Sequence, residues 1–515
     1  MIKEIEIVCP PGQQDDQDVL KRLSASALDI SPQKITGVQV FKRSIDARSR
    51  RVVYRMQVRV YIDEVYHPET YTQQYPDVKN AKHVVIVGAG PAGLFAALQC
   101  IELGLKPIVL ERGKSVKDRR RDLANINKEG LVNPESNYCF GEGGAGTYSD
   151  GKLYTRSTKR GDVNAVLKAF VAHGATEDIL VDARPHIGTN KLPQIITAMR
   201  ETIQNAGGEV IFDAKVIELL VQFDKIQGVK LENGETLKSN AVILATGHSA
   251  RDVFEMLRLQ NILIEAKPFA LGVRIEHPQE IIDQAQYHCE YRGPDLPPSY
   301  YNLVEQVDGR GVFSFCMCPG GIIAPCATDH DEIVVNGWSP SKRNNPFANS
   351  GTVVQINMED VKGSDADPFK MLNFQHSIEQ AAFKAGGGRL VAPAQRMVDF
   401  VNGKLSIDLP ENSYLPGTKS TELKEVLPDW INERLRLALP VFGRKMKGYF
   451  TNEAILVGVE SRTSSPVKIP RDKETMQHPQ IQGLFPCGEG AGYAGGIISA
   501  AIDGINCAIA AGKVV

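Results

Sequence analysis

The hydrophobic pattern at the start of the chain alternates with period two in three short stretches and takes a helical period in one. Positions 5–8, 37–41 and 53–62 alternate apolar with polar side chains, as half-buried strands do. Between the first two, segment 15–28 carries apolar residues at helical spacing, with acids at its start where the helix dipole favours them. This order predicts a small β-α-β-β module with one buried face.

The pattern then changes twice more and divides the rest of the chain. The stretch 67–82 contains prolines and polar residues and has the composition of a linker. After it, short apolar strands alternate with helices, which is typical of a parallel sheet, and this gives way near Ala266 to short alternating strands and long polar loops. We therefore expect an N-terminal α+β module at 1–80, the first part of an α/β nucleotide-binding domain at 81–265, an inserted mixed α+β cap or substrate domain at 266–440, and the C-terminal part of the α/β domain at 441–515.

A glycine-rich motif directly follows the apolar strand at 83–87 and opens a helical run. It reads Gly88-Ala89-Gly90-Pro91-Ala92-Gly93, the dinucleotide fingerprint in its required context between strand and helix. Gly88 permits a tight turn, Gly90 lets the backbone approach a pyrophosphate, and Gly93 lets the helix pack closely on the strand. The sequence therefore predicts a dinucleotide site at the start of this helix.

The next strand ends in Glu111, close to the spacing of about 20 residues expected for an acid that binds a ribose 2′-hydroxyl. An acid at this position argues against a 2′-phosphate. Arg112 stands beside it, however, and an arginine there accommodates such a phosphate in NADP-binding proteins. The choice between NAD-type and NADP-type dinucleotides stays open on these residues alone.

Residues 84–113, VVIVGAGPAGLFAALQCIELGLKPIVLERG, resemble the FAD-binding N-terminus of glutathione-reductase-type flavoproteins. Two later segments fit the same family. Ala245-Thr246-Gly247 resembles the turn after a late strand of the FAD domain, and 483–490, GLFPCGEG, resembles the strand whose terminal acid holds the ribityl chain and pyrophosphate. That family usually has Asp where this chain has Glu489, whose carboxylate sits one methylene further out.

More specifically, the chain resembles a family of bacterial FAD-dependent dehydrogenases of unknown substrate over nearly its whole length. The strings that carry this resemblance are residues 141–153 (GEGGAGTYSDGKL), 248–252 (HSARD), 316–321 (CMCPGG), 460–466 (ESRTSSP) and 490–497 (GAGYAGGI). The resemblance implies a glutathione-reductase-type, Rossmann-like FAD domain with an inserted cap. Together with the fingerprint, it implies an FAD site formed by Gly88, Gly90, Pro91, Ala92, Gly93, Glu111, Arg112, Gly143, Gly144, Ala145, Gly146, Thr147, Gly151, Lys152, Val216, Ala245, Thr246, Gly247, Gly488, Glu489, Gly496 and Ile497.

Three side chains are candidates for a catalytic role, each with a structural alternative. Lys152, if it points inward, puts a positive charge near the flavin and favours its reduced anion; the alternative is a surface lysine. Arg462 either clamps a substrate carboxylate or the flavin's negative charge, or pairs with the nearby Glu460. His248 either donates a proton or caps a helix that begins near Ser249.

The cysteines give no framework motif. An alternating strand at 313–318 separates the Cys316 and Cys318 thiols by about 6.6 Å, which is awkward for a disulfide, so a redox pair is less favoured than small residues lining a cavity. A zinc site built from these two, Cys289 and Cys326 lacks the usual pair spacing, so we predict no metal site. A C-x-x-C or longer spaced pair is also missing beside the fingerprint, which argues against dithiol–disulfide reductase chemistry.

Composition and charge narrow the class of protein. The 515 residues carry 59 Lys plus Arg against 61 Asp plus Glu, a net charge of -2, too balanced to steer nucleic acid or an anionic membrane. Nine scattered cysteines, no signal-peptide pattern and no apolar run of about 18 residues lead us to expect a cytoplasmic protein that does not enter a membrane. One local basic cluster stands out, formed by Lys42, Arg43, Arg48, Arg50, Arg51, Arg55 and Arg59.

This basic cluster is either the solvated rim of a hairpin or a surface that docks RNA. No aromatic stacking platform is interleaved with it, which favours the rim and makes nucleic acid an improbable partner. The predicted function is an FAD-dependent oxidoreductase that moves a hydride between flavin N5 and a small organic substrate. Because no second fingerprint exists in the sequence, the electrons come either from NAD(P)H as a transient donor or directly from an organic substrate that the flavin oxidises. The alternative is a flavin-containing RNA-binding or RNA-modifying protein; the oligomeric state is open.

Overall fold

The computed structural model describes residues 1–49, 51–155 and 160–515, so Arg50 of the basic cluster lies outside the described residues. Its first unit is an antiparallel sheet in the order β1-β3-β2 with one helix packed on it. The side chain of Asp16 starts this helix by accepting hydrogen bonds from two backbone N–H groups of its first turn. The predicted β-α-β-β order is present as β1 (Ile2–Cys9), α1 (Gln17–Leu28), β2 (Ile35–Asp46) and β3 (Val53–Ile62).

A five-stranded parallel sheet carries the glycine-rich fingerprint, in the order β22 (Leu484–Pro486), β10 (Val242–Leu244), β4 (His83–Val87), β5 (Lys106–Leu110) and β6 (Glu209–Ile211). Strands β7, β8 and β9 form a separate antiparallel sheet beside it. The elements of this part of the chain are β4 (His83–Val87), α2 (Pro91–Glu102), β5 (Lys106–Leu110), α3 (Val116–Glu129), α4 (Val163–Ala172), α5 (Asp178–Val181), α6 (Leu192–Asn205), β6 (Glu209–Ile211), β7 (Val216–Gln222), β8 (Lys225–Leu231), β9 (Thr236–Lys238), β10 (Val242–Leu244) and α7 (Arg251–Leu259).

The following segment, together with β20 (Ile455–Glu460) from later in the chain, builds a seven-stranded sheet in the order β13-β14-β17-β12-β20-β18-β19, which we call the cap sheet. Its elements are β11 (Glu265–Ala266), β12 (Phe269–Pro278), α8 (Gln279–Tyr287), β13 (Val304–Val307), β14 (Arg310–Cys318), β15 (Ile322–Pro325), β16 (Val335–Trp338), β17 (Phe347–Ile356), α9 (Lys370–Gly386), β18 (Ala392–Arg396), α10 (Met397–Asn402), β19 (Thr418–Ser420) and α11 (Asp429–Lys445).

The C-terminal segment contributes to both sheets. It contains β20 (Ile455–Glu460), β21 (Val467–Lys468), β22 (Leu484–Pro486) and α12 (Ile497–Ala511). Strand β20 lies within the cap sheet between β12 and β18, whereas β22 is an edge strand of the parallel sheet. Helix α12 packs so closely on α2 that a Cβ at Gly504 would meet the Ala92 carbonyl oxygen at 2.0 Å. The cap is therefore continuous with the last part of the chain, and the predicted α/β class with a mixed cap is confirmed.

The fingerprint glycines behave as the sequence predicted. Gly88 has φ +106°, a backbone conformation that favours glycine. A Cβ at Gly93 would lie 1.9 Å from the Gly88 carbonyl oxygen, so only glycine lets α2 pack this closely on the turn after β4. The backbone conformation of the turn from Gly88 to Gly93 therefore depends on the absence of side chains at these glycines.

The N-terminal module is held on the rest of the protein by apolar packing and by one arginine. Its core includes Tyr287 and Leu296 of the cap. The Arg43 guanidinium, whose side chain is only 12% exposed, bonds to Asp178 and Asp182 at the two ends of the α5 region and to Asp15 of its own module. No helix among the described residues is long and apolar enough to span a membrane.

Replacing the inter-domain arginine tests this docking. Arg43→Met is expected to lower the free energy of unfolding by about 1–2 kcal/mol, because it removes charge-assisted bonds whose acidic partners remain partly solvated. Arg48→Met is the matched control, since the Arg48 side chain is 82% exposed and pairs locally with Asp46. Urea unfolding measures both variants. An equal loss in both would contradict a docking role for Arg43.

Candidate functional site

A cavity of about 390 Å³ lies where the carboxyl ends of the parallel strands face the cap sheet. Its wall includes the fingerprint turn, the ends of β5 and β10, and the loop at 139–154; from the cap come Phe315, Cys316 and Asn336. A crevice at the carboxyl ends of parallel strands is the usual ligand position in such folds. The sequence had not indicated Phe315 and Asn336, since nothing local marks strand residues that face a distant sheet.

Most of the predicted FAD residues line this cavity, as do the three catalytic candidates. Three predicted residues stand behind its wall instead. Gly93 packs α2 on the preceding turn, and a Cβ at Gly143 would lie 1.9 Å from the Thr147 hydroxyl, which itself donates to the Glu142 carbonyl oxygen. Gly93, Gly143 and Thr147 therefore shape the loops that face the cavity.

The cavity wall fits a diphosphate-bearing ligand at its fingerprint end. Gly90 is the N-cap of α2, no side chain of the described residues caps this helix, and Pro91 occupies its first position. A Cβ at Gly90, Gly247 or Gly496 would meet no described atom within 4 Å. The glycines thus leave an open cradle beside a helix N-terminus, whose N–H groups and dipole attract phosphate.

Glu111 ties three segments of the wall together. One carboxylate oxygen accepts from Ala89 N–H at 2.9 Å, and the other accepts from Gly113 and Gly141 N–H, each at 2.9 Å. The side chain is 4% exposed. The observed role of Glu111 is therefore to hold these loops together. Its carboxyl oxygens have one lone pair left for a ribose hydroxyl, and that contact stays a prediction.

Arg112 is already paired with acids of the protein and is not free to bind the 2′-phosphate of an NADP-type dinucleotide. Its guanidinium bonds to Glu135 at 2.6 Å and Asp252 at 2.8 Å, and it lies 4.4 Å above the centre of the Phe140 ring. Two carboxylates already neutralise it. A 2′-phosphate would therefore have to displace an ion pair to reach this arginine.

Lys152 points into the cavity, so the surface alternative is wrong. Its Nζ lies 3.5 Å from Cys316 Sγ, 3.6 Å from Cys318 Sγ and 3.9 Å from an Asp150 carboxylate oxygen. Burial alone lowers the pKa of Lys152, but the two thiols and Asp150 outweigh it and raise that pKa. The ammonium is therefore a fixed positive charge in the cavity wall.

Strand β14 is not the regular strand that the alternation predicted. Its pairing with β17 breaks between Phe315 and Cys318, and Cys316 has φ +47°, an uncommon conformation for a side chain other than glycine. The expectation of a regular extended strand was wrong, and both sulfurs at this irregularity contact one Lys152 nitrogen, within 3.6 Å. A β-bulge depends on the partner strand, so the local sequence gave no signal for it.

His248 lies in the cavity wall with one ring nitrogen unsatisfied. Its Nε2 is 3.8 Å from a Glu489 carboxylate oxygen, and its buried Nδ1 has no hydrogen-bond partner among the described residues. The alternative role as a helix cap is wrong, since α7 begins after Ala250 with no side-chain cap. Burial, then Arg462 and other nearby cations, lower the pKa of His248 to about 3, so the imidazole is neutral at pH 7.

Glu489 is poised to titrate near neutral pH. Burial raises the pKa of its carboxyl to about 7, although a hydrogen bond from the Gly496 backbone opposes the shift. Lys267 is close enough for the two charges to interact, and burial lowers the pKa of that lysine. One wall of the cavity therefore holds a neutral imidazole, His248, beside a carboxyl group, Glu489, that is partly protonated at pH 7.

Arg462 does not pair with Glu460, so that alternative is wrong. Its guanidinium bonds to Thr328 at 2.9 Å, Glu332 at 2.5 Å and Glu379 at 3.2 Å, while Glu460 bonds to Arg274. The side chains of Glu332 and Glu379 are 0% exposed, and both also form ion pairs with Arg251. Arg462 borders the cavity, but its donors are already used, which leaves little of it to clamp a substrate.

Among the residues that the structure describes, two clusters have the residue types of metal ligands, and arginines pair with the acids of both. Glu332 and Glu379 lie near His376 and are paired with arginines, as described above. Asp503 lies near Cys487 and Cys507, and Arg471 bonds to both oxygens of its carboxylate. An arginine therefore occupies the electrostatic place of a cation in each cluster.

Family models match four parts of the chain. An FAD binding domain matches residues 83–118, and a C-terminal domain-like region of FAD-dependent proteins matches residues 268–463. A model for glucose inhibited division protein A matches residues 193–270, and a domain of unknown function matches residues 1–61. The match at 268–463 spans the cap sheet including β20.

The chain is also similar to individual proteins. An uncharacterized protein of Clostridium beijerinckii is 40% identical over 514 residues, which cover 96% of each chain. The tRNA uridine 5-carboxymethylaminomethyl modification enzyme MnmG of Caldicellulosiruptor saccharolyticus is 29% identical over 32% of this chain and 24% of its own. Among solved structures, the flavin-dependent brominase Bmp2 triple mutant is 12% identical, covers 84% of this chain and 80% of its own, and has a TM-score of 0.36.

The raised pKa of Glu489 predicts a pH dependence of stability. The folded carboxyl keeps its proton up to about pH 7, whereas the unfolded one ionises near its ordinary value of 4.5. Its contribution is therefore fully present below pH 4.5 and is lost as the pH rises through 7. For the flavin-free protein, we expect Glu489→Gln to reduce the fall in free energy of unfolding between pH 5 and pH 8 by about 1–3 kcal/mol.

Urea unfolding at the two pH values measures this difference. Glu474→Gln is the control, because Glu474 is exposed and its variant should keep the wild-type fall. If Glu489→Gln and the wild-type protein lost the same free energy between the two pH values, the assigned pKa of Glu489 would be wrong.

Proposed function

The chain belongs to a family of FAD-dependent flavoproteins that includes its Clostridium beijerinckii relative, and from this premise we propose that it is an FAD-dependent oxidoreductase acting on a small organic substrate. FAD is its cofactor. When bound in the cavity, FAD would supply hydride transfer between its N5 and that substrate, which is the reaction proposed from the sequence. The observation that carries the proposal is one cavity that joins the glycine cradle to a group of buried ionisable side chains on the cap side.

The cradle residues are proposed to hold the FAD diphosphate. Gly90 leaves room at the start of α2, whose first N–H groups have no side-chain cap. Glu111 acts through the loops it fixes, and its remaining lone pair is available to a ribose hydroxyl. When bound, FAD would supply hydride-transfer chemistry that no side chain offers.

The cap-side residues are proposed to bind and polarise the substrate. The Lys152 ammonium stabilises negative charge that develops nearby. Glu489, which titrates near pH 7, is suited to give or take a proton, and the unpaired Nδ1 of neutral His248 accepts a hydrogen bond or donates one according to its tautomer. Arg462 is proposed to position this wall through Glu332 and Glu379 without touching the substrate.

The electron donor is proposed to be NAD(P)H that visits the cavity transiently. The chain has one fingerprint of the strand–glycine loop–helix–acid type, which FAD uses. A substrate that reduces the flavin directly is the other source of electrons. The cytoplasmic location stays a prediction, and the oligomeric state stays open.

The second candidate, an RNA-binding or RNA-modifying flavoprotein, has one observation in its favour, the similarity to MnmG and to glucose inhibited division protein A. Both matches are partial, and the basic cluster is largely neutralised: Arg43 bonds to Asp178, and Arg59 bonds to Glu4. We therefore expect no salt-sensitive binding of tRNA in a filter assay. Binding that weakens steeply as salt rises would favour this candidate instead.

A visible absorption spectrum followed by anaerobic titration tests the main proposal. The purified protein is expected to show the two visible bands of oxidised flavin, and either NADH or NADPH should bleach them. A flavin that neither nicotinamide bleaches would overturn the proposed donor and leave reduction to the substrate itself. A colourless protein that refuses added FAD would overturn the cofactor as well.

The control for this titration is a variant that closes the cradle. Gly90→Val places a side chain where a Cβ now meets open space, at a φ of −74° that any residue adopts. We expect the variant to retain less than about a tenth of the flavin of the wild-type protein at equal protein concentration, which corresponds to about 1.4 kcal/mol or more of lost binding. Ala27→Val, on an exposed helical position, should keep its flavin.

A further inference from the structure

Two cysteines of the cap sheet meet two cations in the wall of the cofactor cavity. Lys152 Nζ contacts both thiols, at 3.5 Å and 3.6 Å. From the other side, Arg274 Nη2 donates to the Cys316 carbonyl oxygen at 2.6 Å and lies 3.7 Å from Cys318 Sγ. These four side chains form a cluster, Lys152, Arg274, Cys316 and Cys318, of which the proposed hydride transfer uses only Lys152.

Charge in this cluster is unbalanced while both sulfurs are thiols. Arg274 is 0% exposed and bonds to Glu460 at 2.6 Å. Asp150, the acid nearest Lys152, bonds more closely to Arg343, at 2.9 Å against 3.9 Å. The Lys152 charge is therefore left without an acid of its own at hydrogen-bond distance among the described residues. A thiolate beside it would complete the balance.

The two sulfurs differ in the way that a nucleophile and its resolving partner differ. Cys316 is partly exposed and lines the cavity, whereas Cys318 is 0% exposed behind it. A hydrogen bond with Cys318 lowers the pKa of Cys316 well below its usual value, and Lys152 and Arg274 lower it further against the effect of burial. Burial, together with Cys316, raises the pKa of Cys318.

The backbone permits the two sulfurs to approach each other. In a regular strand they would stand about 6.6 Å apart along the chain, but the left-handed conformation of Cys316, φ +47°, bends that path. The Cys318 thiol donates to the Cys316 carbonyl oxygen at 3.3 Å, and both sulfurs lie within 3.6 Å of one Lys152 nitrogen. Forming a bond of about 2.05 Å then requires side-chain rotation and a small shift, well short of refolding the strand.

We propose that Cys316 and Cys318 are a dithiol–disulfide couple that reduces small disulfides entering the cofactor cavity. The Cys316 thiolate attacks one sulfur of R–S–S–R, and one RS⁻ leaves. Cys318 then loses its proton and attacks the Cys316 sulfur of the mixed disulfide, which releases the second RS⁻. The products are one internal disulfide and two RSH, so the substrate gains two electrons that the two thiols lose.

This inference rests on the proposed function and deepens it by naming disulfides as a substrate class. Return to the dithiol takes two electrons and two protons. A dithiol reagent supplies them in the test tube, and the proposed NAD(P)H-dependent oxidoreductase activity supplies them in turnover. The sequence has no cysteine pair beside the fingerprint, and in this proposal the Cys316-Met317-Cys318 motif of the cap takes that role.

The test follows the cysteines by mass rather than by activity. Flavin-loaded protein is reduced, freed of reductant, and exposed without oxygen to increasing oxidised glutathione, and its remaining thiols are blocked with iodoacetamide before digestion. The peptide that carries Cys316 and Cys318 is expected to lose both labels together and to become lighter by two hydrogen masses than its unlabelled dithiol form. Two reduced glutathione molecules should appear for each disulfide formed.

Variants separate the roles of the two sulfurs. Cys318→Ser should trap a mixed disulfide with glutathione on Cys316, because the resolving thiol is gone, whereas Cys316→Ser should form neither product. Lys152→Met should slow alkylation of Cys316 at pH 7 about tenfold for each unit by which its pKa rises. Cys289→Ser, a partly exposed cysteine away from the cluster, is the control and should behave as wild type.

The outcomes distinguish this inference from the proposed function. If wild-type protein holds flavin and is bleached by NAD(P)H but its Cys316–Cys318 peptide keeps both labels at every glutathione ratio, the couple is refuted and the oxidoreductase stands. If the disulfide forms with the expected stoichiometry in protein that no nicotinamide bleaches, the couple is supported and the proposed donor fails. Equal oxidation in Cys316→Ser and wild-type protein would also refute the couple.

Discussion

The Glu111 carboxylate is the interaction on which the shape of the cofactor site depends. It accepts three backbone N–H bonds from the fingerprint turn, from the turn after β5 and from the glycine-rich loop that begins at Gly141. These three segments are separate in sequence and form one side of the cavity. Glycines can approach a ligand only if another group fixes the loops that carry them, and here the buried Glu111 side chain does so.

On the cap side, buried arginines link separate segments of the cavity wall through ion pairs. Arg462 and Arg251 join Glu332 and Glu379 behind His248, and Arg274 joins Glu460 beneath the two cysteines. Buried ion pairs add little net stability when compared with apolar packing, but removing one partner leaves a charge uncompensated. Arg274 fixes the backbone of the thiol cluster by donating to the Cys316 carbonyl oxygen, and the charges of Arg462 and Arg251 help to lower the pKa of His248.

Sequence reasoning was strongest where the determining interactions are local. The alternation of β3 and the glycines from Gly88 to Gly93 were predicted because a strand period and a steric limit are set by neighbours in the chain. The sequence-based predictions failed where contacts between residues far apart in the chain determine the local structure. The bulge at Cys316 depends on pairing with β17, and the partners of Arg462 lie 130 and 83 positions away in the sequence. The same reason explains why a lysine that reads as a surface residue points into the cavity.

The central claim is that the cavity between the parallel sheet and the cap sheet holds FAD. A crystal structure of the protein purified with its flavin tests this most directly. The account predicts diphosphate oxygens within hydrogen-bond distance of the N–H groups at the start of α2, with the rest of the cofactor extending through the cavity toward Lys152. A stoichiometric flavin bound elsewhere, with the Gly90 cradle vacant, would contradict it.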